Sequence, residues 1–133
     1  MLQLEIPFIS ITEYSRPSEV SRGRSRFFHG QVPFLLYTGR CYFYERLKIR
    51  GGRNAVFYGI PDDANGFKSV VESLEEINDK SATAAEKNIT QPLPSPSVLT
   101  LFNKFEEFAL ERIVGMEHSK RMINGGKNTF LFT

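Results

Sequence analysis

The sequence predicts an α/β fold built on a parallel sheet with flanking helices. Three observations carry this reading. Short apolar runs rich in β-branched and aromatic residues recur at Pro7–Ile11, Val32–Thr38 and Asn54–Pro61. Segments of helical character separate them, which favours parallel pairing through crossovers. The 133 residues fit one domain able to bury roughly 65–70% of its unfolded surface. With 41% hydrophobic residues, the chain is too apolar to belong with disordered proteins.

The run "PFISI" reads as a first buried strand. In "SRPSEVSRGRSRFFHG", Ser15 and Ser18 are candidate caps, Pro17 and Glu19 suit a helix start and Gly30 suits its end. Val20, Phe27 and Phe28 then give the apolar side, while Arg22 and Arg26 are i,i+4 neighbours on a common face. "VPFLLYT" reads as a second buried strand and "RCYFYERL" as a short helix or turn. "NAVFYGIP" is a third strand after the break "RGGRN".

From Asn65, read as a cap, Phe67, Val70, Val71, Leu74 and Ile77 follow the spacing of one helix face. Residues 78–97 mix polar residues with three prolines and read as a linker or insertion. It divides the domain into strand and helix units over 1–77 and C-terminal helices with a last strand over 98–133. Ser97 is read as the cap of a helix carrying Val98, Leu101, Phe102, Phe105, Phe108, Ala109, Ile113 and Val114 to Gly115. "EHSKRMI" adds further helical turns, and "NTFLFT" the last strand.

Charge is distributed unevenly. Residues 1–60 hold 9 Lys and Arg against 4 Asp and Glu, whereas residues 61–133 hold 8 against 11. Eight of those nine bases are Arg, whose planar fork matches phosphate or carboxylate better than an ammonium does. This points toward RNA or an acidic partner. The single Cys41 excludes an intramolecular disulfide and suits a reducing compartment. The opening "MLQLEIPFIS" has no basic or apolar leader pattern, and no run approaches the length of a membrane span. The expectation is a soluble intracellular protein.

Several catalytic constellations lack their necessary parts. "NGGKNT" has Asn128 where a phosphate loop needs Ser or Thr, and a helix precedes it where a strand is required. Cys41 lies in apolar surroundings without a local nucleophile signature, and reads as core. His29 and His118 have no carboxylate at ligand spacing, so no metal is expected. Glu75–Glu76 and Glu106–Glu107 sit on helix patterns, where charges normally solvate a face.

The arginines remain. Residues 22–53 carry seven Arg and one Lys against the single acid Glu45, interleaved with Phe27, Phe28, Tyr42, Phe43 and Tyr44. Two readings stand: base stacking with phosphate pairing, or core aromatics with charges that solvate helix ends. The binding candidates are Arg22, Arg26, Arg40, Arg46, Arg50 and Arg53, with Thr38 at a strand end.

Two long blocks, "ITEYSRPSEVSRGRSRFFHGQVPFLLYTGRCYFYERLKIRGGRNAVFYGIP" and "FALERIVGMEHSKRMINGGKNTFLF", resemble the C-terminal region of the digestive-organ-expansion-factor family. That family is the U3 small nucleolar RNA-associated protein of the small-subunit processome. The resemblance covers about residues 5–76 and 97–133. It implies an incomplete RecA-like fold, similar to the second lobe of superfamily 2 RNA helicases. It also implies a nucleolar, nuclear, non-enzymatic role in pre-rRNA processing and 18S rRNA maturation, with U3 snoRNA or pre-rRNA and processome proteins as partners. Neither a cofactor, a small-molecule substrate nor a membrane is expected.

The departures bear on mechanism. Gly39 follows Thr38 where the family and working helicases carry an acid, and "KIRGGRN" replaces the turn that contacts RNA. "LERIVGMEHSKR" leaves Arg112, Lys120 and Arg121 as poor substitutes for a phosphate-reaching arginine motif. The first lobe, with its phosphate loop and acidic magnesium box, is not in this sequence, and the chain reads as a terminal fragment or truncated gene product. Two alternatives stay open: the second lobe of an RNA-dependent ATPase completed elsewhere, and a protein-only interaction module.

Overall fold

A computed structural model describes residues 5–81 and 96–132, with the side chains of 75–81 outside that description. Among the described residues, four strands and five helices follow in the order β1 (Phe8–Ile11), α1 (Pro17–Phe28), β2 (Phe34–Tyr37), α2 (Gly39–Glu45), β3 (Asn54–Tyr58), α3 (Ala64–Ser81), β4 (Ser97–Leu101), α4 (Glu107–Val114) and α5 (Met116–Asn124). The predicted parallel arrangement is present as two separate pairs, β1 with β2 and β3 with β4.

Each pair has one covered face. Ile9 and Ile11 lie in register with Leu35 and Tyr37, and α1 approaches this face closely enough that a Cβ on Gly23 would stand 2.8 Å from Ile9 Cγ2. Ala55 and Phe57 lie in register with Val98 and Thr100. There α3 brings the Phe67 ring to 4.8 Å from that of Phe57, a pairing that contributes about 0.5–1.5 kcal/mol beyond its buried area.

The strands are therefore not buried on both sides, as their continuous apolar runs predicted. Phe8, Phe34 and Leu36 on one pair, and Val56, Tyr58, Leu99 and Leu101 on the other, are exposed among the described residues. Side chains alternate along a strand, so covering one face leaves every second apolar residue outside.

Helix boundaries also depart from the sequence reading in detail. The backbone N–H of Arg16 donates to Glu19 Oε2 at 2.9 Å, starting α1 at Pro17. Ser15 instead accepts from the Thr12 N–H, closing the turn after β1. Gly30 ends the helix region at φ 69°, a conformation that a Cβ disfavours. Asp63, not Asn65, supplies the acceptor at the start of α3, taking the Asn65 N–H at 3.0 Å. That helix continues to Ser81, four residues past the expected boundary. Most of the proposed linker lies outside the described residues.

The largest correction concerns residues 97–101. They form β4 and not the start of a helix, because Val98, Leu99 and Leu101 complete a parallel ladder with β3. Ser97 Oγ donates to Asn54 Oδ1 at 2.8 Å across that ladder instead of capping a helix. A 3₁₀ turn over Lys104–Glu106 then leads into α4.

The last strand expected at "NTFLFT" is not present over 128–132. Phe130 instead packs against a core formed by Ile60, Leu110 and Met122, with Phe102 beside it. Phe130 is half-buried there, whereas Leu131 and Phe132 are exposed, so the neighbouring backbone meets solvent instead of a ladder. No helix among the described residues is long and apolar enough to cross a membrane.

Candidate nucleic-acid interface

The carboxyl ends of β1 and β2 meet at Thr38. Its backbone N–H donates to the Ile11 carbonyl at 3.2 Å, its hydroxyl donates to Glu13 Oε2 at 3.0 Å, and Oγ1 accepts from the Cys41 N–H at 3.2 Å. Thr38 is thereby the N-cap of α2, a role its side-chain oxygen fills by taking an otherwise unpaired donor. Arg40 stands 3.8 Å from Glu13 Oε1. The Glu13 carboxyl is held below its ordinary range, first by a hydrogen bond from its own backbone, then by the Thr38 hydroxyl and the Arg40 charge.

Cys41 is almost fully buried, as its apolar flanks predicted, and burial pushes its thiol pKa up. Tyr37 beside it has a buried hydroxyl without a well-formed hydrogen bond. Burial raises that phenol to about 12.

The connection between α2 and β3 folds against the C-terminal part of α1. Arg24, not singled out from the sequence, donates from Nη2 to the Lys48 carbonyl at 2.8 Å. Gly51, at φ 97°, sits where a Cβ would stand 2.9 Å from the Phe28 Cα. Both its dihedral and its close approach call for glycine. Gly52 lies beside the Phe27 ring and Leu74, and Arg46 ends α2 in the left-handed region at φ 45°.

The six arginines chosen from the sequence fall in three places. Arg22 and Arg26 share an exposed stripe of α1, turned about 160–200° from Arg24 and hence from the seam with the α2–β3 connection. Arg40 lies at the β1 and β2 ends. Arg46, Arg50 and Arg53 belong to the α2–β3 connection, with Arg53 half-buried and the other two exposed. Among the described residues, Arg22, Arg26, Arg46 and Arg50 form no ion pair.

The interleaved aromatics divide between the two sequence readings. Phe27 packs on Gly52, and Tyr42 packs on Gly66 and lies 6.2 Å from Tyr37. Phe28, Phe43 and Tyr44 are exposed, with the Phe43 and Tyr44 rings edge to face at 5.5 Å.

On the other pair of strands, Glu106 is not a solvating charge. Its Oε1 accepts from the Ile60 N–H at 2.9 Å and its Oε2 from the Asn103 N–H at 2.8 Å. The spacing Asn103-x-x-Glu106 is a capping-box signature and marks this role in the sequence. Arg112 donates to the Asp62 carbonyl at 3.0 Å, and Arg121 pairs with Glu117 at 3.2 Å. Lys120 is exposed. No group of three or more His, Cys, Asp or Glu among the described residues could hold a metal ion.

Comparison with known proteins adds a family match. Residues 1–132 match the family described as Utp25, C-terminal domain. Protein NUCLEOLAR FACTOR 1 of Arabidopsis thaliana is 36% identical over 126 residues, covering 94% of this chain and 15% of that protein. U3 small nucleolar RNA-associated protein 25 of Komagataella phaffii is 33% identical over 125 residues, covering 94% and 17%. The Phaeosphaeria nodorum protein of the same name is 30% identical over 132 residues, covering 99% and 18%. The chain thus spans less than a fifth of the length of these curated relatives. No solved structure matches it.

Proposed function

The chain belongs to the family of Utp25 C-terminal domains, and on that premise we propose that it is a non-enzymatic component of the U3 snoRNA-containing small-subunit processome. It acts in the nucleolus in pre-rRNA processing and 18S rRNA maturation. It docks on RNA or on assembly proteins through a degenerate, RecA-like helicase lobe, with RNA as the primary contact. The names of its relatives, a nucleolar factor and U3 small nucleolar RNA-associated proteins, support this setting.

The observation that carries the RNA reading is the exposed Arg22 and Arg26 stripe, free of ion-paired acids among the described residues. An arginine without a carboxylate partner keeps its whole donor fork for phosphate oxygens. Exposed Phe28, Phe43 and Tyr44 add stacking surface on the same half of the chain.

Groups that would serve a nucleotide cycle are engaged in the fold. The Thr38 hydroxyl is used by Glu13 and Cys41, Arg40 lies against Glu13, and Arg112 is tied to Asp62. This favours a scaffold over an ATP-driven lobe.

The test is RNA crosslinking together with the salt dependence of binding. Crosslinks should include residues 22–53. Replacing Arg22 and Arg26 by Ala should flatten the slope of log affinity against log salt by about 0.7 for each phosphate of single-stranded RNA that is no longer neutralised. Crosslinks to proteins alone, or RNA-stimulated ATP hydrolysis by a longer relative that disappears when the residue matching Arg112 is changed, would overturn the reading.

A further inference from the structure

Beyond the carboxyl end of β4 lies an open pocket of about 380 Å³, lined by Thr100, Leu101, Phe102 and Lys104, by Met122 and Ile123 of α5, and by Gly125, Lys127, Asn128 and Phe130 beyond it. Its size is within the range of small-ligand sites, about 300–1,000 Å³. It lies at the carboxyl end of β4, the end of a strand at which parallel α/β proteins place their ligands.

The lining combines three kinds of group. The Phe102 and Phe130 rings stand 6.5 Å apart at 37°, both half-buried, with Met122 buried among them. Lys104 and Lys127 are exposed at the rim and form no ion pair among the described residues, although the Lys104 ammonium lies 5.2 Å from the centre of the Phe105 ring. Asn128 offers an amide donor and acceptor. Among the described residues no acidic side chain lines the pocket, and Glu106 has both oxygens occupied by the Ile60 and Asn103 N–H groups.

We infer that this pocket binds one nucleotide of a single-stranded RNA, its base against Phe102 and Phe130 and its phosphates at Lys104 and Lys127. Aromatic surface stacks any base, the ammonium groups meet phosphate, and the Asn128 amide can reach a base edge. A purely apolar ligand would leave the Lys127 ammonium unused, and an acidic peptide would leave the aromatic floor without a stacking partner. The site is separate from the Arg22 and Arg26 stripe on α1, so it stands or falls independently of that surface.

The experiment uses the full chain with fluorescently labelled hexamers of uridine and adenosine, with UMP and AMP as separate arms. Replacing Phe130 by Leu keeps apolar volume but removes the ring, and should weaken hexamer binding about tenfold, the scale of losing one stacked base. Lys127→Ala, at an exposed position outside regular structure, should weaken binding without shifting the unfolding midpoint. Photo-crosslinks from a 4-thiouridine hexamer should reach residues 122–130 and persist when Arg22 and Arg26 are replaced by Ala. Unchanged hexamer affinity in Lys127→Ala, or crosslinks absent from 122–130, would overturn the assignment. So would displacement of the hexamer by an acidic peptide as effective as unlabelled RNA, or mononucleotides that bind as tightly as the hexamers.

Discussion

The Glu106 carboxylate accepts the backbone N–H of Ile60 at 2.9 Å, joining the end of β3 to the turn before α4 across 46 positions of sequence. Its other oxygen accepts from Asn103, so one side chain fixes two backbone segments. Glu106→Ala leaves both donors without that partner and should destabilise the chain by about 2 kcal/mol, given the strength of hydrogen bonds to charged acceptors. Glu106→Gln, which keeps one acceptor oxygen, should lose less. Urea unfolding midpoints of the two variants check this order, and an unchanged midpoint in Glu106→Ala rejects it.

Gly23 is the buried contact point of α1 with β1, where an added Cβ would meet Ile9 Cγ2 at 2.8 Å. Gly23→Ala improves helix propensity by about 1 kcal/mol, but overpacking typically costs about 1–3 kcal/mol. The expected sum is a net loss of stability, since the methyl it meets is held on a branched strand residue. Gly39→Ala, with nothing within 4 Å of the added atom, should be neutral or slightly stabilising. Thermal denaturation of the pair distinguishes crowding from a general intolerance of these glycines.

Glu13 and Thr38 give an acid-side prediction. The Glu13 pKa is lowered from its ordinary 4.5, so the stability it adds is complete above that value and drains as pH falls through the folded pKa. Thr38→Val removes the hydroxyl donor and the α2 cap. At pH 7 the lost cap should cost about 1 kcal/mol. The acid-side decline should become shallower without vanishing, because the larger backbone hydrogen bond to Glu13 is retained. Unfolding midpoints measured from pH 7 to below pH 4 report both effects.

Tyr37 gives the opposite limb. Its phenol is raised from 10.0 to about 12, so folding favours the neutral form. The contribution is intact below pH 10 and is lost as pH rises toward 12. Because the hydroxyl has no well-formed partner, Tyr37→Phe should be neutral or stabilising at pH 7 and should remove this alkaline decline. A variant that is less stable at pH 7 would mean that the hydroxyl makes a needed hydrogen bond.

Much of the local organisation was legible from the chain. Pro17 and Glu19 marked the start of α1, the Phe67, Val70, Val71 and Leu74 spacing marked α3, and the break at Gly51 and Gly52 separated α2 from β3. Each signal is local, set by backbone dihedrals or side-chain period. Residues 97–101 were misread because Val98, Leu101 and Phe102 fit a helical spacing as well as a strand, and periodicity does not separate the two over so short a run. The decision came from β3, whose open edge accepts Ser97–Leu101 in parallel register. The candidate arginines were legible as a composition bias, but their division into three places was not.

The sequence by itself determined the alternation of strands and helices, the surplus of arginine in the first half and the resemblance to one family, all properties of order and composition. Only the tertiary structure decided that Glu13, Glu106, Arg24 and Arg112 hold distant backbone and side-chain groups. It also decided that one face of each strand pair is exposed among the described residues. The reason is physical. Local propensity depends on neighbours in sequence, whereas a side chain's partner and its access to solvent depend on which segments meet in space.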